Sequence, residues 1–327
     1  MRMTTRERLL GVLVAVLWGL NFLAIHLSLE QFPPFFLVAL RFALIALPTI
    51  LLVPRPQVRL RWLLGYGLGF GTLQFLFLYW AMATGLPVGL ASLVLQASAP
   101  FTVLLGATVL RERLDRAQVA GILLAVAGLT AIGAQQLGTA ALGPFLLALL
   151  AALGWALGNL SSRLAKPPKP LHLTLWMSVV PVLPMLAVSL WVEGPERIAR
   201  SLTALDTSTG LWALGGLAYT VVLGTVVGSG IWTWLLSRHP AARVAPFSML
   251  VPVVGLVTAW VVLGETLAAV EIAGAAVVVL GVLLGSRAVR HPRRAPAAPA
   301  PAFAPFARRK PASLGGRPPV TGDRARR

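Results

Sequence analysis

Residues 98–129 read SAPFTVLLGATVLRERLDRAQVAGILLAVAGL, and residues 251–284 read VPVVGLVTAWVVLGETLAAVEIAGAAVVVLGVLL. Each is an apolar run containing Pro, then a short break carrying Glu, then a second apolar run studded with Gly. At a spacing of 153 residues Glu112 recurs as Glu265, Gly121 as Gly274 and Gly128 as Gly281. The same spacing links Gly71-Thr72 to Gly224-Thr225 and Pro87 to Pro240. Chance matches of Gly are expected in so apolar a chain. A matched Glu pair is not, because only ten Asp and Glu occur among 327 residues. The two stretches therefore mark an internal duplication.

Both copies are written in residues that a bilayer favours. The chain is 57% hydrophobic and 12% charged, with a mean hydropathy of +0.82, outside the range of a soluble domain of this size. Its apolar runs recur from residue 9 to residue 286 and leave no polar stretch long enough for a globular domain. There is no cysteine, which excludes disulfides, thiol chemistry and Cys-ligated metals; no cofactor or metal is expected. The net charge of +18 does not read as a nucleic-acid signature. Half of it sits after Arg287, in the Pro/Ala/Arg-rich segment 287–327 whose composition cannot build a core, expected as a disordered cytosolic tail. Its clustered Arg residues could also touch anionic lipid head groups. The basic start MRMTTRERLL resembles a signal peptide but is followed by too long an apolar run and no plausible cleavage site, so it reads as a retained first helix.

About 20 apolar residues span a bilayer, and ten such segments are expected: 9–29, 34–53, 62–84, 87–110, 117–135, 142–162, 171–191, 210–236, 240–263 and 268–286. Loop charges set their direction. With residues 1–8 in the cytosol, the inside segments hold Arg2, Arg6, Arg8; Arg55, Arg59, Arg61; Arg111, Arg113, Arg116; Arg163, Lys166, Lys169; and Arg238, Arg243. The outside loops hold only Arg197 and Arg200. Both termini are thus expected in the cytosol, in a bacterial inner membrane. Trp18, Leu20 and Leu27 match Trp155, Leu157 and Leu164 at a spacing of 137, which grows to 153 through an insertion in the external loop at 191–210. Repeats at 9–135 and 142–286 then carry five spans each, and an odd number turns the second upside down. The expectation is an all-α polytopic membrane protein with ten transmembrane helices in two inverted five-helix repeats, an architecture that places a substrate between the halves.

Polar side chains within spans are the candidates for that site. Trp18 and Asn21 share a face of the first helix, and Trp155 and Asn159 are their counterparts. The Asn residues either line a cavity or tie helices together. Gln74 and Tyr79 lie in the third span, with Ser229 and Trp232 in the eighth; aromatics there read as an interfacial belt or as groups that gate or stack on substrate. Gln96 precedes Pro100 by one turn, and Ser248 precedes Pro252 likewise. The prolines are expected to break their helices and expose carbonyls. His26, Glu30 and Arg41 form a charge cluster toward one end of the first hairpin. Arg41 lies roughly 10 Å into its helix, with Glu30 or a backbone carbonyl as the expected partner; a substrate carboxylate is the other reading. No Asp or Glu falls in mid-span, so a carboxylate proton relay has no obvious carrier.

With WGLN in the first span, LRF in the second and the two long stretches quoted above, the chain resembles the EamA family of the drug/metabolite transporter superfamily across residues 9–286. The first copy has RERL where that family more often shows GERL. The resemblance implies two inverted five-helix repeats, export of amino acids, metabolites or drug-like solutes from the cytosol, and a cavity lined by the first, third and fourth helices of each half. The expected function is a permease exporting a small molecule by alternating access. An importer of the same fold and a non-transporting scaffold or sensor are the alternatives. A lipid-processing enzyme would need a His/Asp/Glu cluster that the sequence does not show.

Overall fold

The first helix starts earlier than its apolar run because its N-terminus is capped. In a computed structural model, which describes residues 3–112, 114–137, 141–239, 244, 247–266 and 268–285, α1 runs over Thr5–Leu29. The Thr4 hydroxyl accepts from the Glu7 amide and the Glu7 carboxylate accepts from the Thr4 amide, which satisfies two orphan donors of the first turn. Glu7 Oε1 also lies 3.0 Å from His239 Nε2. Asp115 and Gln118 form the same capping box at the start of the helix Arg116–Gln135.

Helices follow in the expected order: α2 Pro34–Leu52, α3 Leu60–Ala83, α4 Val88–Val109, α5 Arg116–Gln135, α6 Leu142–Ala165, α7 Pro170–Val192, α8 Pro195–Ser201, α9 Ser208–Leu236, α10 Leu250–Leu263 and α11 Ala269–Gly285. Eight of these, α1–α7 and α9, are long and apolar enough to cross a membrane; α10 and α11 are apolar but shorter, and no strand occurs among the described residues. The chain is a multi-pass, all-helical membrane protein. Of the expected ninth span, residues 240–243, 245 and 246 lie outside the described residues, as do the tail and its lipid contact. The insertion at 191–210 is not a plain loop, since part of it folds as α8, held where the Gln31 amide donates to the Ser201 carbonyl at 2.7 Å.

Small residues decide which helices meet. α5 and α11 run antiparallel in backbone contact: a Cβ at Gly128 would lie 2.7 Å from the Gly274 carbonyl oxygen, and one at Gly281 would lie 2.6 Å from that of Gly121. Without side chains the two backbones approach closely enough for dispersion to hold them in lipid. α2 and α7 are also antiparallel, tied at one end by Trp176 Nε1 donating to the Val53 carbonyl and at the other by the Phe35 and Phe36 amides donating to Glu193. α1 packs antiparallel to α9, with Ala24 against Gly216 and Asn21 against Gly224, and in the same direction as α10, with Gly19 against Val254. α6 packs antiparallel to α3, with Gly154 against Gln74 and Gly158 against Phe70, and in the same direction as α4, where Asn159 meets Thr102. Exchanging residues 9–135 for 142–286 maps the α5–α11 and α2–α7 pairings onto themselves and the two α1 pairings onto the two α6 pairings.

The matched Gly-Thr pairs sit in matched distortions. Residues Gly67–Leu73 of α3 and Tyr219–Val227 of α9 are π-helical. In each, the Thr hydroxyl donates to a carbonyl five residues back, Thr72 to Gly67 and Thr225 to Thr220. A π turn inserts a residue into the helix and re-aims the side chains around it, which is why such turns gather at functional sites.

The prolines act more mildly than expected. α4 stays continuous through Pro100, with only a 3₁₀ turn at Leu95–Ala97 before it. Pro252 falls in the first turn of α10, where no backbone N–H is required.

Candidate functional site

The most costly side chain in the bundle is Arg41. It lies in mid-helix on α2 and is 5% exposed; a guanidinium in a membrane interior costs about 3 kcal/mol even when partly accommodated. The expected pairing with Glu30 does not form. Glu30 lies just beyond the last turn of α1, half exposed, 3.8 Å from His26 in a solvent-accessible contact of little energetic weight. Arg41 instead points toward α3 and α9. It donates from Nη1 to the Tyr79 hydroxyl at 2.9 Å and from Nη2 to the Thr225 hydroxyl at 3.0 Å. Its plane lies 4.2 Å from the Phe75 ring centroid, a cation–π contact that further offsets desolvation. The Nε–H is buried and has no partner, and no carboxylate neutralises the charge among the described contacts of this residue.

Thr225 joins this group to the Trp18 and Asn21 face of α1 through its neighbour Gly224. Trp18 Nε1 donates to the Gly224 carbonyl at 2.9 Å, and its ring lies 5.2 Å from that of Trp232. Asn21 packs on Gly224 so closely that a Cβ there would lie 2.5 Å from Asn21 Oδ1, and that oxygen is buried with no partner. The π segment is thus clamped from the α1 side by Trp18 and Asn21 and from the α2 side by Arg41. Tyr219, at its start, donates to the Leu17 carbonyl.

The other half brings its counterparts together differently. Trp155 meets Phe70 edge-on at 5.6 Å, and Asn159 Nδ2 donates to Thr102 Oγ1 at 3.2 Å, a helix-to-helix tie between α6 and α4. Gln74 is buried with Oε1 unpaired, and Gln96 is buried within the 3₁₀ turn. Ser229 and Ser248 are half-buried. Tyr79 is 1% exposed, so it does not belong to an interfacial belt, whereas Trp80, at 41%, faces outward. Residue Ser178, 137 positions after Arg41, is fully buried and uncharged. Of the expected residues, then, Trp18, Asn21, Arg41, Tyr79 and Trp232 converge around α9. Phe75, Gly224 and Thr225 were not singled out for a site; the repeated Gly-Thr pair was the available signal.

Two hollows lie away from this group. One, of about 70 Å³, is apolar and lies between Pro100, Gly121 and Gly281. The other, of about 490 Å³, lies at the α8 end and is lined by Glu30, Gln31, Arg197 and Arg200.

The model of the EamA-like transporter family matches the chain twice, over residues 6–134 and 143–287. The chain belongs to that family. Among its relatives is a protein of Salmonella typhimurium (strain LT2) named "Probable amino-acid metabolite efflux pump", 45% identical over 288 residues that cover 86% of this chain and 95% of that one. A protein of the same name from Escherichia coli (strain K12) is 42% identical over 289 residues, covering 86% and 95%. A solved crystal structure shares the fold, with a TM-score of 0.57 over 86% of this chain and 96% of its own at 21% identity. Family and relatives make this EamA-like protein a membrane transporter.

Proposed function

We propose that this transporter exports a small, amino-acid-like metabolite from the bacterial cytosol across the inner membrane, by alternating access around the α1–α3–α9 interface. The observation that carries the reading is the exchange pattern of the packing: α1 inserts between α9 and α10 of the other half, as α6 inserts between α3 and α4. With ten crossings, α10 and α11 included, that pattern is an inverted pair of five-helix repeats at 9–135 and 142–286, with both termini cytosolic. The substrate path then runs between halves that can rock against each other. The double family match supports the duplication, and the names of the relatives support efflux of an amino-acid metabolite. The 490 Å³ hollow lined by Glu30 and Arg200 would open at the outer end of this path.

Direction is tested in cells that overexpress the chain: metabolites are compared between cytosol and medium, and enrichment of an amino-acid-like solute in the medium is expected. Depletion of the same solute from the medium would make the protein an importer. Topology is tested directly because the native chain has no cysteine. Gly85→Cys and Thr207→Cys should react with an impermeant maleimide from outside, and Gln57→Cys and Lys166→Cys only after the membrane is opened. Outside labelling at Lys166→Cys would end the inverted-repeat reading.

A further inference from the structure

The insertion at 191–210 has no counterpart in the first copy, and α8 is what it adds. Both of its roots are fixed. On one side the Glu193 carboxylate accepts from the Phe35 and Phe36 amides and from the Ser189 hydroxyl. On the other, residues 204 and 205 pack on the start of α9, where a Cβ at Gly210 would lie 2.4 Å from the Ala204 carbonyl oxygen. Between the roots α8 is held lightly. Five of its seven residues are exposed, Ser201 is the buried one, and the bond from Gln31 to the Ser201 carbonyl ties it to the first copy. A segment with so few buried contacts opens at low free energy, and lids are drawn from such segments. Immediately before it Gly194 has φ 76° and ψ 154°, a conformation essentially restricted to glycine. A Cβ there would meet nothing within 4 Å, so the chain can absorb a large change of φ and ψ at this point without collision.

The hollow of about 490 Å³ lies between α8 and the turn that follows α1, and its walls carry opposite charge: Arg197 and Arg200 on α8, Glu30 on the turn. Among the described residues no ion pair joins the two walls. Glu30 lies 3.8 Å from His26 on its own side, and Arg200 donates from Nε to the Glu196 carbonyl one turn back at 3.4 Å. Of the other acidic groups of the insertion, Glu193 is engaged with α2, and Glu196 and Asp206 do not line the hollow. We propose that α8 is a lid hinged at Gly194, which closes over this hollow by bringing Arg197 and Arg200 onto Glu30. The two arginines are also the basic residues of loops expected outside, where the bias of Lys and Arg runs against them. What the lid closes, the outer end of the transport path, rests on the export reading above; its movement does not.

The chain has no cysteine of its own, so spin labels on Ala199→Cys of α8 and Gly85→Cys of the α3–α4 turn, both exposed, report the lid in the full-length protein in proteoliposomes. Double electron–electron resonance should give two distances. Raising the salt from about 0.01 M to about 1 M shortens the screening length from about 30 Å to about 3 Å. It should raise the ratio of open to closed lids about threefold, the weight of a solvent-accessible ion pair. At low salt Glu30→Gln should do the same, as should Arg197→Gln with Arg200→Gln. All three together should go no further, because they remove one interaction. A single distance, or a ratio indifferent to salt, overturns the inference whether or not the variants fold. If the ratio moves as expected but Gly85→Cys is not labelled from outside, the lid stands and the inverted topology falls. If Gly85→Cys is labelled from outside and the ratio is unmoved, the lid falls and the topology stands.

Discussion

Glu112 and Glu265 occupy matched positions in the two copies, and among the described residues they make different bonds. The Glu265 carboxylate accepts from the Val88 and Gly89 amides at 2.8 and 3.0 Å, capping the N-terminus of α4 from the far end of α10. Glu112 makes a bidentate pair with Arg163 at the other end of α4, where both side chains are about half exposed. The same contrast holds deeper in the bundle, where Arg41 in one copy answers to Ser178 in the other and Thr225 carries a bond to Arg41 that Thr72 does not. Duplication supplied the frame twice, through Gly contacts, Gly-Thr π turns and helix order. Among the described residues, the buried guanidinium was placed in one copy only.

The largest break in that comparison is Arg41→Ala set against Ser178→Ala. The first should reduce transport in proteoliposomes about a hundredfold, the loss of one charge-assisted contact worth roughly 2–3 kcal/mol. The second removes a buried hydroxyl without a partner and should leave flux within about twofold, with an unchanged or slightly raised unfolding temperature. Equal losses would show that the copies share the chemistry after all. Next, Thr225→Val should cut transport about tenfold, because it removes both the Arg41 acceptor and the π-turn bond, whereas Thr72→Val loses only a 3.3 Å bond to Gly67 and should cost less than about threefold. In thermal unfolding, Glu265→Gln should cost about 1 kcal/mol by weakening a helix cap. The smallest effect is expected for Glu112→Gln, about 0.5 kcal/mol or less, since its pair with Arg163 is accessible to solvent. A reversal of this order would place the tighter junction at the Glu112 end of α4.

Much of this was legible in the chain. The positions of the spans followed from apolar runs, and the capped starts of α1 and α5 lie within a few residues of those runs. Arg41 was visible as a charge too deep in its helix to be idle, and Trp18 and Asn21 as a polar face. The partners were not legible. Tyr79 lies 38 residues and Thr225 184 residues from Arg41, and a helical pattern says which face a residue is on without saying which distant helix covers that face. Glu30 looked nearer because it is nearer in sequence, yet it stands at the exposed end of α1 while Arg41 turns toward α3 and α9. The Gly-Thr recurrence was visible as a repeat, but a π turn depends on what packs against it.

The sequence by itself determined the membrane class, the order and limits of most helices, and the duplication, because these rest on local hydropathy and on identities at fixed spacing. Only the tertiary structure decided that Arg41, Asn21, Trp18, Tyr79 and Thr225 form one group, and that matched residues of the two copies do unmatched work. Those facts depend on close approach between helices far apart in the chain, which Gly224 permits at Asn21 and which no periodicity encodes.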